Sequence, residues 1–338
     1  MRTGARTRAR ARLTRAADFL CDCLAVDTLI TLKPYTPDDA PVWDRVVSQS
    51  CNGNFLHLRN YMDYHRDRFD DCSLLVLRNG SPVAVFPASR HDAVVSSHAG
   101  LTYGGLIHNR DLGTQDALLA FASIRDHYRE LGVTSVVYKA VPHVFHRFPS
   151  ESDLYALSRV EAVLYRRDAS SVIFLDEERR FSKGRKWSVN KARKAGITVR
   201  RSHDFEPFHA LLTEVLTRFG STPTHTCAEL QLLAGRFPDG IALYVAEQDG
   251  ALLAGTVVYD FGHIVHTQYM ANSADGREAG ALDLLLAELI GTTYADKRYF
   301  SFGISTEDQG LYLNQGLIAQ KEAFGARTVV HDFYRWAL

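Results

Sequence analysis

The feature that most constrains this chain is an internal duplication of one structural unit. Residues 73–98 and 242–269 each contain an apolar strand, a tight turn, a second apolar strand, a polar break and a third strand. The turns, Asn79-Gly80 and Asp249-Gly250, favour the positive φ angles of two-residue hairpins. We therefore predict the same antiparallel meander twice. The copies are about half a chain apart, far beyond solenoid periods, which indicates two domains of one kind.

The similarity continues after each meander. An R-x-x-G turn follows at Arg110–Gly113 and at Arg277–Gly280, and each turn precedes apolar residues at helical spacing. The helices are predicted at residues 117–131 and 282–290, and the strands after them at 133–138 and 299–305. The predicted fold class is α+β (mixed α/β), with helices flanking a mixed, largely antiparallel sheet in each copy.

Chain length supports this division, because 338 residues exceed the usual size of a single hydrophobic core. We predict an N-terminal domain over residues 27–170 and a C-terminal domain over residues 171–338. Residues 1–26 hold six arginines between Arg2 and Arg15. We interpret them as a basic, disordered extension or as a start codon assigned too far upstream. An arm that contacts phosphate or a membrane is the alternative.

Composition excludes several classes of protein. Lys+Arg and Asp+Glu balance at 39 each, so the whole chain has no basic excess for nucleic acid. The five cysteines form no C-x-x-C pair, and no apolar run reaches the roughly 18–20 residues of a membrane helix. We expect a cytoplasmic protein without a disulfide framework, a metal site or a membrane span.

A basic segment lies between the two copies. Six of the twelve residues from Lys183 to Lys194 are basic, with Ser182 as a plausible N-cap and Gly196 as a plausible C-cap. Cations in the last turn suit the helix dipole, so a solvated helix is one interpretation. A docking surface for a phosphate-bearing substrate is the other.

The order of meander, R-x-x-G turn, helix and strand resembles the GNAT acyl-CoA N-acyltransferase fold. Its pyrophosphate loop has the form Q/R-x-x-G-x-G/A, which Arg277 and Gly280 match and Leu282 does not. The tandem arrangement resembles the FemAB-like branch, over roughly residues 30–338. The segments that carry this second resemblance are Met62–Phe69, Ser97–Gly105, Arg185–Gly196, Phe302–Glu307 and Leu313–Gly325.

The resemblance implies transfer of an acyl group from a CoA thioester to an amine. It implies acetyl-CoA or another acyl-CoA as a cosubstrate, with no tightly bound cofactor. Glu307 would be the base and Tyr312 the acid, although an exposed loop acid and a packed helix aromatic remain the plainer interpretations. The predicted donor-binding residues are Thr267, Tyr269, Met270, Ala271, Arg277, Gly280, Ala281 and Asn314. Asn314 could instead cap a helix. Lys321-Glu322 could form an ion pair or contact a ligand, and the ion pair is the plainer interpretation.

The acceptor would lie between the domains, where ligand sites are common. The predicted acceptor-binding residues are Asp63, His65, Arg68, His98 and Tyr103. We expect an amino sugar, free or nucleotide-linked, or another small amine of cell-envelope polysaccharide synthesis. Two alternatives remain: an aminoacyl-tRNA-dependent transferase, which the basic segment favours, and a non-catalytic tandem-GNAT binding protein.

Overall fold

The computed structural model describes residues 28–178 and 180–338, so the predicted extension over residues 1–26 lies outside the described residues. The elements of the first half are β1 (Ile30–Pro34), α1 (Ala40–Gln49), α2 (Arg59–Met62), β2 (Asp70–Asp71), β3 (Leu74–Arg78), β4 (Ser81–Phe86), β5 (Ser89–His91), β6 (Val94–Ser96), β7 (Ile107–His108), α3 (Thr114–Glu130), β8 (Ser135–Lys139), α4 (Ser152–Arg159) and β9 (Val163–Phe174). A 3₁₀ segment, Asp63–Arg68, follows α2.

The elements of the second half are α5 (Lys183–Lys194), β10 (Thr198–Ser202), α6 (Phe205–Thr217), α7 (Cys227–Arg236), β11 (Ile241–Gln248), β12 (Ala251–Asp260), β13 (Ile264–Asn272), α8 (Ala274–Ala279), α9 (Ala281–Glu288), β14 (Tyr299–Ile304), β15 (Thr306–Glu307), β16 (Tyr312–Leu313), α10 (Gln315–Glu322) and β17 (Arg327–Ala337). The predicted helices and strands after both R-x-x-G turns are confirmed. Capping is confirmed too: Ser182 Oγ accepts from the backbone N–H of Arg185 at 3.3 Å, and Gly196 has a φ of 78°.

Both predicted hairpins are present. Asn79 and Gly80 have φ angles of 50° and 81°, and Asp249 and Gly250 have 50° and 80°. In the second half, β11, β12 and β13 pair in sequence as the predicted antiparallel meander. In each hairpin, the local turn chemistry selects the connection.

The prediction that a third strand completes the first meander is wrong. Residues 89–96 form a separate hairpin, β5–β6, because Asp92 has a φ of 53° and reverses the chain. The strand that pairs with β4 is instead β7. Among the described residues, one sheet has the order β1-β3-β4-β7, and the larger sheet has the order β10-β11-β12-β13-β14-β9-β17-β8-β6-β5-β2.

The last strands of the two halves are exchanged in the larger sheet. The strand β9 ends the first half, yet it pairs with β14 on one side and β17 on the other. The C-terminal strand β17 also pairs with β8, and Trp336 is buried against Phe121 at a ring distance of 5.2 Å. The core of the first half therefore contains the end of the chain.

Two parallel strands separate near the middle of the larger sheet. The strands β13 and β14 pair only between residues 264–266 and 299–301, and beyond this point β14 continues beside β9. On its other edge, β13 contains a bulge: Val257 faces Tyr269 and Val258 faces Thr267, so Gln268 is the extra residue. The bulge lies beside the gap that opens between β13 and β14.

The two halves share one of the three large hydrophobic clusters found among the described residues. Trp43, Leu56 and Tyr61 from the first half belong to the same buried cluster as Phe208 and Tyr259 from the second. Phe55 stacks on Phe237 at 5.1 Å. This contact joins the turn before α2 to the end of α7.

Candidate active site

A cavity of about 330 Å³ lies between the two halves. The first half contributes residues of the 3₁₀ segment and of the loop 99–102, and the second half contributes Thr224, His225 and Gln268. Gln268 is the bulge residue of β13, the strand predicted to hold the acyl donor. The cavity therefore brings the predicted donor strand and two of the predicted acceptor residues, His65 and Arg68, to one place.

Stacked rings form one wall of the cavity and connect the two halves. Tyr64 stacks on His65 at 4.2 Å and 12°, and on His225 at 5.6 Å and 24°. The imidazole Nδ1 of His65 hydrogen-bonds the carbonyl oxygen of Met62 at 2.6 Å, which fixes its orientation. Aromatic faces of this kind accept flat or amphipathic groups.

The second half holds His225 against the donor strand. Its Nδ1 lies 2.7 Å from the hydroxyl oxygen of Tyr269, and its backbone N–H donates to the same oxygen at 3.3 Å. Neither His225 nor Gln268 was identified from the sequence. The capping box Thr226–Glu229 does mark the start of α7, but nothing local shows that the residue before it faces the other half.

The cavity wall holds no net charge near neutral pH. Burial lowers the pKa of His225 to about 4 and also lowers the pKa of His65. Burial raises the pKa of the Tyr64 phenol to about 12. Arg68 forms an ion pair with Glu229 of the other half, so its charge is compensated.

Three of the predicted acceptor residues do not line the cavity. Asp63 accepts a hydrogen bond from the buried Arg59 at 2.8 Å. Tyr103 is buried and accepts from Asn54 at 2.9 Å, and His98 lies behind His65 at a ring distance of 5.6 Å. In this structure these side chains support the cavity wall from outside it.

The residues predicted to bind the donor on β13 lie in different environments. Thr267 is buried, with its hydroxyl 3.5 Å from the carbonyl oxygen of Ser301 across the gap. Ala271 is buried in the shared core, whereas Met270 packs against the separate core beneath α9. Tyr269 is the member of this strand that reaches the cavity wall, through His225.

The R-x-x-G turn of the second half is covered by the basic helix α5. Arg277 lies on α8 and donates to the carbonyl oxygen of Asn272 at 3.0 Å, and Gly280 joins α8 to α9 with a φ of 80°. A Cβ on Gly280 would lie 2.5 Å from Ser188 Oγ. Ala281, the first residue of α9, is fully buried. Gly280 therefore allows α5 to pack closely against the turn. Ser188 of α5 fills the space beside the Cα atom of Gly280.

In the first half, a carboxylate of the chain itself, and not a neighbouring helix, occupies the R-x-x-G turn. Asp116, in the first turn of α3, accepts from the backbone N–H of Gly113 at 3.2 Å. Arg110 stacks on Phe148 at 4.2 Å. A carboxylate at a helix N-terminus satisfies the donors that a phosphate would otherwise use.

The predicted acid and base lie on an exposed hairpin. Glu307 and Tyr312 face each other across β15 and β16, and 57% of Tyr312 is exposed. Asn314 caps α10 by accepting from Leu317 N–H at 2.9 Å, and it also donates to Glu307 at 2.7 Å. Tyr312 is on a strand, so its interpretation as a packed helix aromatic is wrong. Catalytic roles for Glu307 and Tyr312 stay predictions.

The ion pair expected between Lys321 and Glu322 is not formed in the structure. Lys321 is buried, and its Nζ donates to the carbonyl oxygens of Ile304 at 2.6 Å and of Gly303 at 3.0 Å. No acidic side chain pairs with it among residues 28–178 and 180–338. Burial lowers its pKa to about 7. This amine supports the end of β14, beside the gap between β13 and β14.

The basic helix α5 is partly neutralised by its neighbours. Arg185 pairs with Asp283 and Arg193 with Glu288, both on α9, at 2.5 Å. Lys191 donates to the carbonyl oxygen of Glu278 at 2.7 Å. Lys183, Lys186 and Lys194 have no ion-pair partner within the described ranges. The helix is thus both a packed element and a carrier of uncompensated positive charge.

Comparisons with known proteins agree with this architecture. Residues 179–309 match the family model for the acetyltransferase (GNAT) domain. The chain is similar to the crystal structure of FemX, with 13% identity, a TM-score of 0.66, and coverage of 91% of this chain and 97% of that one.

A second similar structure is L-PGS from Bacillus licheniformis, with 13% identity, a TM-score of 0.60, and coverage of 90% and 93% of the two chains. A third is the C-terminal domain of a putative lysylphosphatidylglycerol synthetase from Agrobacterium fabrum, with 11% identity, a TM-score of 0.59, and coverage of 89% and 92%. No curated protein sequence matches. At these identities the likeness shows the fold, and the predicted fold class is confirmed.

Two further findings concern the described residues. None of their helices is long and apolar enough to cross a membrane. They contain no group of three or more His, Cys, Asp or Glu side chains placed to hold a metal ion. Cys51, Cys72 and Cys227 are free thiols.

Proposed function

We propose that this protein is an N-acyltransferase that moves an acyl group from a CoA thioester to an amine held in the cavity between the halves. The amine belongs to an amino sugar, free or nucleotide-linked, used in cell-envelope polysaccharide synthesis. The observation that carries this proposal is the position of the cavity, which meets the bulge of β13 where β13 and β14 separate.

The separated strands suit acyl transfer. Beyond residue 266, β13 pairs with no strand on the β14 side among the described residues, so backbone groups along that edge are available to an extended donor. The bulge residue Gln268 lines the cavity, and a bulge leaves its extra residue unpaired in the ladder. Backbone N–H groups aimed at a developing oxyanion are a large source of acyl-transfer catalysis.

The cavity suits an uncharged, amphipathic acceptor group. Tyr61 and Phe69 add apolar rings to the lining. His225 and Thr224 offer hydrogen bonds. A sugar ring combines an apolar face with hydroxyl groups, which matches this mixture. The amine must reach the acyl carbonyl as a neutral nucleophile, and a wall without net charge favours that form.

A second candidate donor is an aminoacyl ester of tRNA, as in FemAB proteins proper. The observation that favours it is the covering of Gly280 by Ser188, which restricts the turn where a CoA pyrophosphate would bind. The covering helix also presents Lys183, Lys186 and Lys194, which suit an RNA backbone.

The test is a transfer assay with the purified full chain and a panel of amino sugars, using mass spectrometry to detect the acylated amine. Acetyl-CoA and longer acyl-CoAs are one set of donors, and charged tRNA is the other. Thr102 is an exposed cavity residue, so Thr102→Trp should block the cavity and abolish transfer. Thr198→Trp, at an exposed position of the edge strand β10, is the matched control and should remain active.

Donor binding is measured separately. A donor present at about 100 times its Kd stabilises the folded chain by about 2.7 kcal/mol, which a thermal melt detects. Stabilisation by acyl-CoA that Arg277→Ala weakens supports the first donor. Binding of charged tRNA with steep salt dependence, weakened by Lys183→Gln and Lys186→Gln, supports the second. Transfer from neither donor would contradict the proposal.

A further inference from the structure

His225 is held on several sides while one ring nitrogen stays unengaged. Its Nδ1 contacts the Tyr269 hydroxyl at 2.7 Å, and its carbonyl oxygen lies 3.0 Å from the ring nitrogen Nε2 of His209. Tyr64 stacks on its face at 5.6 Å. Its Nε2 has no hydrogen-bond partner in the part of the chain that the structure describes, and the ring lines the cavity.

This arrangement suits a proton acceptor. In the tautomer that protonates Nδ1, the Tyr269 oxygen accepts that proton and a lone pair remains on Nε2. A hydrogen bond that fixes one imidazole nitrogen and orients the other is the usual support of a general base.

The groups around the ring keep it uncharged in the resting protein. Burial is the largest influence and lowers the pKa of His225 to about 4. Glu229 opposes this effect, while Arg68 and His65 add to it. Tyr64, Tyr269 and His209 also face the residue, and burial raises the pKa of both phenols, which leaves them protonated.

The exposed pair Glu307 and Tyr312 is placed less well for this task. Neither residue lines the cavity, and Glu307 already accepts from Asn314. His225 lies in the cavity beside the bulge residue Gln268, where the acyl carbonyl would lie.

We infer that His225 is a catalytic residue that takes the proton from the acceptor amine, an inference that rests on the function proposed above. The amine lone pair attacks the acyl carbonyl carbon, a C–N bond forms, and the carbonyl electron pair moves to oxygen. Nε2 takes one proton from the nitrogen. When the C–S bond of a thioester, or the C–O bond of an ester, breaks, the imidazolium returns that proton to the leaving atom.

The experiment compares wild type with His225→Ala, His225→Gln and Tyr269→Phe in the transfer assay. We expect His225→Ala to lower kcat by about 10²- to 10⁴-fold with little change in KM for the amine. Free imidazole should restore a large part of that loss in His225→Ala, because it can enter the vacated space. Tyr269→Phe should cause a smaller loss. His91→Ala is the control, since its side chain is 94% exposed, and it should leave kcat unchanged.

Three outcomes would overturn the inference. A wild-type kcat in folded His225→Ala would show that another group accepts the proton. A lower kcat without imidazole rescue, together with a raised KM, would show that His225 only positions the wall. A wild-type chain that transfers from neither donor would refute the proposed function itself, and the inference with it. Circular dichroism confirms that His225→Gln and His225→Ala are folded.

Discussion

The buried amine of Lys321 makes a quantitative prediction about stability and pH. Burial lowers its pKa from 10.5 to about 7 in the folded protein. A neutral amine has two N–H donors, and the structure gives Nζ two carbonyl acceptors, on Gly303 and Ile304. The neutral form is therefore fully satisfied, and the protonated form carries a charge without an acidic partner within the described residues.

The sign and size of the effect follow from proton binding. Between pH 7 and 10.5 the unfolded chain holds a proton on Lys321 that the folded chain releases, so the free energy of unfolding rises with pH in this window. The slope approaches about 1.4 kcal/mol per pH unit. Between pH 7 and pH 9 the contribution of Lys321 amounts to about 2 kcal/mol. Below pH 7 it levels off, because both states are then protonated.

Lys321→Met removes this contribution while keeping an unbranched side chain. Lys139 is also buried, with a pKa of about 7 caused by burial, so it titrates in the same window in both proteins. The difference in free energy of unfolding between wild type and Lys321→Met, from urea titrations at pH 7, 8 and 9, isolates Lys321. We expect wild type to gain about 2 kcal/mol relative to the variant, roughly 0.7 M urea if m is about 3 kcal/mol per M. A difference that does not change with pH would refute the reasoning.

Two further predictions concern packing. Gly280→Ala should cost roughly 1–3 kcal/mol more than Gly196→Ala in a thermal or urea melt, because both residues have φ near 80° but only Gly280 has Ser188 Oγ within 2.5 Å of the new methyl group. Equal losses would show that α5 moves aside. Trp336→Ala should cost about 3–5 kcal/mol, since the ring is fully buried against Phe121, whereas Trp187→Ala, at a ring that is 67% exposed, should change the melting temperature little. Similar melting temperatures for the two tryptophan variants would contradict the role of β17 in the first core.

Sequence reasoning succeeded where the determinants are local. Asn79-Gly80 and Asp249-Gly250 specify their hairpins through backbone preference, and Ser182 specifies the start of α5 through its hydroxyl. The spacing of apolar residues in α9 correctly predicts a helix, and this helix is buried on nearly every side. Each of these signals is complete within a few residues, so one sequence is enough to read it.

The candidate site was only partly predictable because it is assembled from distant segments. The cavity joins residues near 65, 100, 225 and 268, and the sequence pattern identified two of its side chains, His65 and Arg68. Lys321 was misread because its partners are backbone carbonyls, which have no sequence signature. The hairpin β5–β6 was missed because Asp92 is a less common residue at positive φ than glycine or asparagine.

The exchanged strands have a consequence for synthesis of the chain. Ser135 pairs with Ala337, about 200 residues later, so the ribosome needs roughly 10–40 s to make the partner of β8 after β8 itself. During that time the edges of β8 and β9 and the site of Trp336 are open, which is the condition under which nascent chains aggregate. Chains that stop before β17 would lack the strand that joins β8 to β9, so the facing edges of these two strands and the site of Trp336 would stay open. We expect such truncated products to depend on chaperones and to be degraded, even though every cavity residue has been translated.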